Sequence, residues 1–384
     1  MFTTNSQWLK IAISFALLSL SSGILYTHTT GILTPGLPIS GGIAVIILTS
    51  GAILHKSESN VLLAAFIGIG LLYRIYAFTF PASLISIDPD AYAVRALIVA
   101  NSGSIDSLLG SFYGTASGFS VFLAVSNILL AIPIDQAFTV IPILAAIIIP
   151  LGAVTIAKRV TRSRHAGIIA VALSVLAPTT VRFGIRPVPI FFGALLFTTV
   201  AVLLIGEREF DNKSYFIAIS VVLSAMTIVH KLPLLLMLVV VLALTVGSHW
   251  PFGHAYQSAQ LPVRVGLLIG SLLTVQWFYL TSYIETAIIK LMTLIGFRPS
   301  SVEIVRTAAV RYDPGLATKI SVYVFAGVTL SIGGIIWVYL WSTQRDDSET
   351  ARLLAIVAPP VAIAIPGLVN SVLAGFQRIF YYST

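Results

Sequence analysis

Residues 61–92 read VLLAAFIGIGLLYRIYAFTFPASLISIDPDAY, an apolar stretch that leads into a loop with two aspartates. Residues 61–80 contain one charged side chain, Arg74, and have the length of about 20 residues that a helix needs to cross a membrane. Asp88 and Asp90 follow where the chain leaves the hydrocarbon. A carboxylate at a membrane boundary costs free energy unless it caps a helix, binds a cation or takes part in chemistry. The stretch therefore predicts a membrane span followed by a functional acidic pair at the membrane surface.

The composition of the whole chain is that of a membrane protein. Of its 384 residues, 57% are hydrophobic and 9% are charged, which is too little charge to cover the surface of a soluble protein. The chain has no cysteine, and this excludes disulfides, thiolate nucleophiles and zinc sites built from cysteine. The net charge of +8 suits anionic lipid head groups or a phosphate-bearing substrate. We expect membrane lipids among the partners and no nucleic acid, because no soluble basic domain is visible.

Apolar windows of about 16–23 residues predict the spans of the membrane domain. Helices are expected, because a backbone inside lipid must satisfy its own hydrogen bonds and the strand alternation of a barrel is missing. The fold class is therefore an all-α polytopic membrane protein, with one transmembrane domain over 1–384, about 11 transmembrane helices and exterior juxtamembrane helices. The windows are 9–27, 38–54, 61–80, 137–157, 165–181, 190–205, 214–229, 232–247, 264–282, 320–341 and 353–372.

The basic residues of the short loops predict the orientation of these spans. Cytoplasmic loops carry an excess of Lys and Arg, and short loops follow this rule best. With a cytoplasmic N-terminus, one side receives Lys56, Lys158, Arg159, Arg162, Arg164, Arg208 and Lys213. Asp88 then lies on the exterior side. We expect an integral protein of a prokaryotic plasma membrane, with its N-terminus in the cytoplasm and its active site outside.

The long exterior loop 81–136 is predicted to begin with a short helix. Ala91–Asn101 suits such a helix, with Asp90 as its N-cap and Gly103 as its C-terminal stop. In the plainest alternative, Asp90 only caps this helix, and Asp88 only forms a turn with the proline that follows it. The same loop is the candidate catalytic segment, because it carries the acidic pair.

A second apolar segment of this loop, 117–132, is shorter than the length of about 20 residues that a transmembrane helix needs. It favours a helix that lies in the interface or re-enters the membrane, capped by Pro133 and Asp135. A crossing here would also place the acidic pair on the same side as the densest basic loop, against the orientation rule. A second long exterior loop is expected at 283–319.

Several short motifs follow one another in a particular order. They are Asp88-Pro89-Asp90-Ala91-Tyr92-Ala93-Val94-Arg95-Ala96, Gly103, Phe112-Tyr113-Gly114, the segment 117–132, Ala157-Lys158-Arg159-Val160, Ala177-Pro178, Arg182 and Arg186. This order resembles the GT-C superfamily of membrane glycosyltransferases, which places an acidic motif in its first large exterior loop, then an interfacial helix and a span with a basic cytoplasmic end. The acidic motif with its arginine and glycine is also similar to the first loop of oligosaccharyltransferase catalytic subunits. The chain departs from those subunits in lacking a Trp-Trp-Asp motif.

The resemblance implies a membrane glycosyltransferase that moves a sugar from a polyprenyl-phosphate carrier to a glycan, lipid or protein acceptor on the exterior face. Asp88 would be the general base of an inverting reaction, and Asp90 would be its partner. A base must lie within hydrogen-bond reach of the attacking hydroxyl, and nearby carboxylate charge stabilises an oxocarbenium-like transition state. Two carboxylates two positions apart could also bind Mg²⁺ or Mn²⁺ as a cofactor.

The leaving lipid phosphate needs fixed cations, and several basic residues of the exterior segments are candidates to bind it. They are Arg95, Arg182, Arg186, His230, Lys231, Arg298, Arg306 and Arg311. Each has a plainer alternative. Arg95 could pair with Asp90 on the same helix, and the others could contact lipid head groups or solvent. His230 could instead be an acid, a base or a ligand.

Two other functions fit the same sequence. A transporter or flippase for a lipid-linked or anionic solute would place ionisable residues and broken helices at mid-span, whereas the acidic residues here all lie outside the predicted spans. A non-catalytic membrane subunit of a glycan-assembly complex would tolerate the loss of Asp88 and Asp90. The distribution of charge favours a reaction at the membrane surface.

Overall fold

The computed structural model describes most of the chain, and all regular structure in the described ranges is helical. The described residues are 3–31, 36–54, 60–81, 87–108, 117–176, 188–205, 212–247, 260–280, 334–343 and 349–358, with the single positions 284, 288, 292 and 347.

The helices are numbered here in chain order. They are α1 (Thr3–Thr30), α2 (Gly36–Leu54), α3 (Asn60–Thr79), α4 (Ile87–Ser102), α5 (Gly118–Leu130), α6 (Ile134–Ala137), α7 (Val140–Thr161), α8 (Arg164–Leu176), α9 (Pro189–Ile205), α10 (Asn212–Val229), α11 (Lys231–Gly247), α12 (Gln260–Thr274), α13 (Gly334–Thr343) and α14 (349–358). A 3-10 turn at Asp106–Leu108 follows α4, and a π-helix at Val275–Leu280 extends α12.

Five helical segments of the described chain are long and apolar enough to cross a membrane. They are Gln7–Thr30, Gly36–Leu54, Asn60–Thr79, Ile134–Thr161 and Pro262–Leu280. Each overlaps one of the windows predicted from the sequence, so the structure supports a helical membrane protein with several spans.

The remaining windows contain shorter helices. The helices α9, α10 and α11 have 17, 18 and 17 residues, at the lower end of the range of about 17–25 that spans hydrocarbon. The helix α8 has 13 residues, and the last two windows lie partly outside the described residues. The number of 11 spans therefore stays a prediction.

Buried side chains form two apolar cores along the length of the bundle. One lies among α1, α2, α3 and α8, and the other lies among α9, α10, α11, α12 and α14. The helix α9 is apolar on every face and is buried over most of its length, as a central helix must be. Its Gly193 packs directly on Pro233 of α11, because a residue without a side chain lets two helices approach closely.

A third core closes one end of the bundle and consists largely of aromatic rings. The ring of Phe119 on α5 meets Tyr92 of α4 at 5.5 Å, Phe138 at 6.1 Å and Phe192 of α9 at 6.0 Å between centroids. Phe122 adds a contact to Phe192 at 4.6 Å. These five residues, called the aromatic cluster below, join the loop 81–136 to the rest of the bundle.

Several basic side chains gather at the opposite end of the bundle. Arg162, just after α7, forms an ion pair with Asp347 at 3.0 Å. Arg352 is buried and donates to the carbonyl of Ile205 at the end of α9, 3.2 Å away. The described part of the loop 81–136 thus lies at one end of the bundle, and the basic loop after α7 lies at the other. Which compartment each end faces stays a prediction.

The first helix of the loop 81–136 is longer than expected. It begins at Ile87, so Asp90 lies inside α4 and does not cap it, and that prediction is wrong. Proline is tolerated in a first turn, since the first backbone N–H groups of a helix have no helical partner, so Pro89 does not delay the start. The predicted end is confirmed: Gly103 has φ of +67° and its N–H donates to Val99, 2.9 Å away.

The second helix of this loop, α5, is close to its predicted position, but its predicted cap is wrong. It ends at Leu130 because Ala131 adopts a left-handed conformation with φ of 52°, and the side chain of Asn127 donates to the carbonyl of Ile132. Pro133 and Asp135 belong instead to the next turn, α6.

Candidate functional site

A groove with a volume of about 910 Å³ lies at the end of the bundle that carries the loop 81–136. Its walls come from the end of α3, from α4, from the chain after α5, from α6 and from the start of α7. The lining residues are Phe78, Thr79, Pro81, Asp90, Ala93, Val94, Leu130, Ile132, Asp135, Gln136, Thr139, Val140 and Ile143. We call it the acidic groove, because Asp90 and Asp135 both line it.

The first carboxylate is positioned by the packing of α4. Asp90 and Val94 are four residues apart, so they lie on one stripe of the helix, and both line the groove. Another face of α4 carries Tyr92, whose ring packs edge-on against Phe119, and Ala96, which is fully buried. Packing of the buried face holds α4 in place, and the opposite stripe with Asp90 and Val94 stays exposed.

The second carboxylate is positioned by the single turn α6. Pro133 begins this turn, and Ala137 and Phe138 behind it are fully buried. Asp135 and Gln136 are therefore held outward, into the groove. Because Phe138 and Tyr92 both pack on the ring of Phe119, the two acidic turns share one rigid support.

The acidic groove has an apolar wall that reaches the outside of the protein. Val94 and Leu130 line it and are 58% and 56% exposed. The exposed face continues along α5 with Ile128 and Leu129. Large apolar side chains exposed on a membrane protein are expected to face lipid, and a helix with one buried face and one such face suits the membrane interface. A ligand with a hydrocarbon tail could enter the groove from this side.

Of the candidates named from the sequence, Asp90 is the one that lines the groove within the described residues. Asp88 lies in the first turn of α4, and its side chain lies outside the described residues. The pairing of Asp88 with Asp90 therefore stays a prediction. Among the described residues, Asp135 is the other carboxylate that lines the groove with Asp90.

The basic candidates are described only in part. Arg95 is half-buried on α4 outside the groove lining, and its guanidinium carbon lies over the ring of Tyr92, 5.7 Å from the centroid. Lys231 is the first residue of α11, and its side chain is not among the described ones. Arg182, Arg186, Arg298, Arg306 and Arg311 lie outside the described residues, as does nearly all of the loop 283–319.

The sequence predicts a short turn at His230-Lys231. In the structure His230 alone lies between α10 and α11, because Lys231 begins α11, and His230 is buried. Its Nδ1 accepts a hydrogen bond from the backbone N–H of Leu232 at 3.2 Å. Gln276, on the π-helix, donates to the carbonyl oxygens of Thr227 and His230. These bonds fix the turn, and His230 is not among the residues that line the groove.

Arg74, the charged residue inside α3, is fully buried away from the groove. Its guanidinium donates to the carbonyl oxygens of Gly70 at 3.2 Å and Val175 at 3.3 Å. The carbonyl of Val175 belongs to the last turn of α8, where backbone oxygens have no helical partner and the helix dipole is negative. Arg74 therefore ties the end of a short helix to a long one.

Sequence reasoning missed the polar side of the groove. Asp135 was interpreted only as a cap, and Gln136, Thr139 and Thr79 were not singled out. The one local signal was the pair of polar residues after Pro133, in a segment already predicted to be exterior. Its position beside Asp90 depends on contacts between α4, α5 and α6 that no local pattern indicates.

The described residues do not gather three His, Asp or Glu side chains that could hold a metal ion. Two carboxylates in one groove, with the amide of Gln136 nearby, offer oxygen ligands of the kind that Mg²⁺ takes. They also offer acceptors for the proton of a hydroxyl group. A metal cofactor therefore stays a prediction, and the chemistry below is argued from the carboxylates.

Comparisons of the chain with protein-family models, with curated proteins and with solved structures find no match. The likeness to the GT-C superfamily accordingly rests on the motifs around Asp88 and Asp90.

Proposed function

We propose that this protein is a membrane glycosyltransferase of GT-C type, which transfers a sugar from a polyprenyl-phosphate donor to an acceptor at the exterior membrane surface. The observation that supports this most is the position of Asp90. It lies in a groove that combines a second carboxylate, hydroxyl and amide groups and an apolar wall exposed towards the expected lipid.

In the proposed reaction, Asp90 is the general base. The acceptor oxygen bonds to the anomeric carbon, the bond from that carbon to the carrier phosphate oxygen breaks, and the hydroxyl proton moves to the carboxylate. Attack from the side opposite to the phosphate inverts the anomeric configuration. Positive charge develops on the sugar ring in the transition state, and the negative charge of Asp135 at the same groove would stabilise it.

The leaving phosphate would be bound by cations of the neighbouring exterior segments. Arg182, Arg186, Lys231, Arg298 and Arg306 remain the candidates from the sequence, and Arg311 joins them. Arg–phosphate pairs are strong because the guanidinium can donate two parallel hydrogen bonds. This assignment moves the base from Asp88, the first choice from the sequence, to Asp90, because Asp90 lines the groove whereas the side chain of Asp88 lies outside the described residues.

The test uses membranes that contain the protein, incubated with radiolabelled polyprenyl-phosphate sugars, with label in the product as the readout. The wild-type chain should transfer label, and Asp90→Asn should lower the rate by about 10²–10⁴-fold, the usual contribution of a general base. Asp106→Asn is the matched control, since Asp106 is an exposed aspartate in the 3-10 turn after α4 and is not among the lining residues.

Asp88→Asn separates the two assignments of the base. If Asp88→Asn abolishes transfer while Asp90→Asn retains it, the groove is not the reaction centre. If membranes with the wild-type chain transfer no label from any polyprenyl-phosphate sugar, the proposed activity is wrong.

A further inference from the structure

We infer that the acidic groove binds the acceptor, an amphiphile with a hydrocarbon tail and an uncharged, hydroxyl-rich head group, and that the phosphate of the donor is bound elsewhere. This inference rests on the proposed function and names the substrate class of the site. It follows from the charge, the hydrogen-bonding groups and the shape of the groove.

The charge of the groove argues against a phosphate. Asp90 and Asp135 both line it, and no Lys or Arg stands among its described lining residues. Arg95, the basic residue of α4, lies over the ring of Tyr92 and is not among the lining residues. A phosphate in this groove would bring its negative charge close to two carboxylates, and like charges at such distances repel.

The hydrogen-bonding groups of the groove suit a polyol. The carboxylates accept hydrogen bonds, so they pair with hydroxyl groups that donate. The side chains of Thr79, Gln136 and Thr139 can both donate and accept hydrogen bonds. They can therefore bond to a sugar hydroxyl whether it donates or accepts. A head group with several hydroxyls can satisfy all of these groups together, which a single charge cannot do.

The apolar side of the groove suits a tail. The remaining lining residues are Phe78, Pro81, Ala93, Val94, Leu130, Ile132, Val140 and Ile143. Two of them, Val94 and Leu130, belong to the exposed apolar surface. The volume of about 910 Å³ is near the upper end of ordinary ligand sites, which hold about 300–1,000 Å³, so there is room for a head group and part of a chain.

The test compares two photoreactive probes with the same alkyl tail, an alkyl glucoside and an alkyl phosphate. Each is cross-linked to the purified full-length protein in nanodiscs, and peptide mass spectrometry measures the yield on the peptides that carry Asp90 and Asp135. On the wild-type protein, the glucoside should label these peptides and the phosphate should label them weakly.

The Asp90→Asn, Asp135→Asn double variant should change the two probes in opposite directions. Glucoside labelling should fall by about tenfold, because hydrogen bonds to charged acceptors are lost. Phosphate labelling should rise, because the repulsion is removed. Asp106→Asn should change neither yield, and gel filtration with thermal unfolding confirms that each variant is folded.

Preferential labelling of the wild-type groove by the alkyl phosphate would overturn the inference, as would labelling by both probes that the double variant leaves unchanged. Failure of the proposed function is a separate result, because cross-linking needs no turnover. If the groove binds the glucoside as expected but the protein transfers no sugar, the inference about the ligand class stands and the proposed enzymatic activity is wrong.

Discussion

The ring of Tyr92 on α4 meets the ring of Phe119 on α5 edge-on, with 5.5 Å between the centroids. Phe119 also faces Phe138 at 6.1 Å, next to the turn that carries Asp135. One buried ring thus supports both acidic turns of the groove.

The first prediction concerns that support. Phe119→Ala removes a buried ring and leaves a cavity, and such a change lowers the free energy of unfolding by about 3–5 kcal/mol. Thermal unfolding in detergent, followed by tryptophan fluorescence, should show the loss as a lower Tm. Phe278→Ala is the matched control, because Phe278 is 58% exposed. Equal Tm values for the two variants would show that the aromatic cluster does not hold this end of the bundle.

A second prediction concerns the space in the groove. Val94→Trp places a large ring in the groove without disturbing the core, because Val94 is 58% exposed. The KM for the acceptor should rise by about tenfold, which corresponds to a loss of about 1.4 kcal/mol of binding free energy. Steady-state transfer assays at varied acceptor concentration measure it.

The control for this change is Leu97→Trp, on an exposed apolar position of α4 outside the groove lining. It should leave the KM as it is in the wild-type protein. A Val94→Trp protein with an unchanged KM would show that the acceptor does not occupy this wall.

A third prediction concerns the charge inside the bundle. Arg74→Met keeps most of the side-chain volume but leaves the carbonyl of Val175 without its charged donor, 3.3 Å away in the wild-type protein. The expected loss is about 1.5–3 kcal/mol of unfolding free energy, the range for hydrogen bonds to charged groups. Thermal unfolding in the same detergent measures it, and Arg74→Lys should recover part of the loss.

Arg264→Met provides the comparison for Arg74→Met, because Arg264 lies exposed on α12. Its unfolding temperature should stay close to that of the wild-type protein. If Arg74→Met is as stable as Arg264→Met, the tie between α3 and α8 contributes nothing to stability, and a role for Arg74 in function would be the better interpretation.

Local sequence patterns predicted several elements well. The turn at His230 and the stop at Gly103 were predicted, because a helix break and a left-handed glycine depend on a few neighbouring residues. The start of α4 was not predicted, since aspartate suits both an N-cap and a first helical turn, and Pro89 is compatible with both.

The sequence by itself determined that this is a helical membrane protein whose acidic residues stand at the ends of apolar segments. Length and composition are enough for this, because each stretch of chain that crosses lipid must by itself be long and apolar enough and must satisfy its own backbone hydrogen bonds. Only the tertiary structure decided that Asp135 joins Asp90 and that Arg74 bonds to Val175. These partners are far apart in the chain, and what unites them is how whole helices pack on shared buried side chains such as Phe119, which no local pattern encodes.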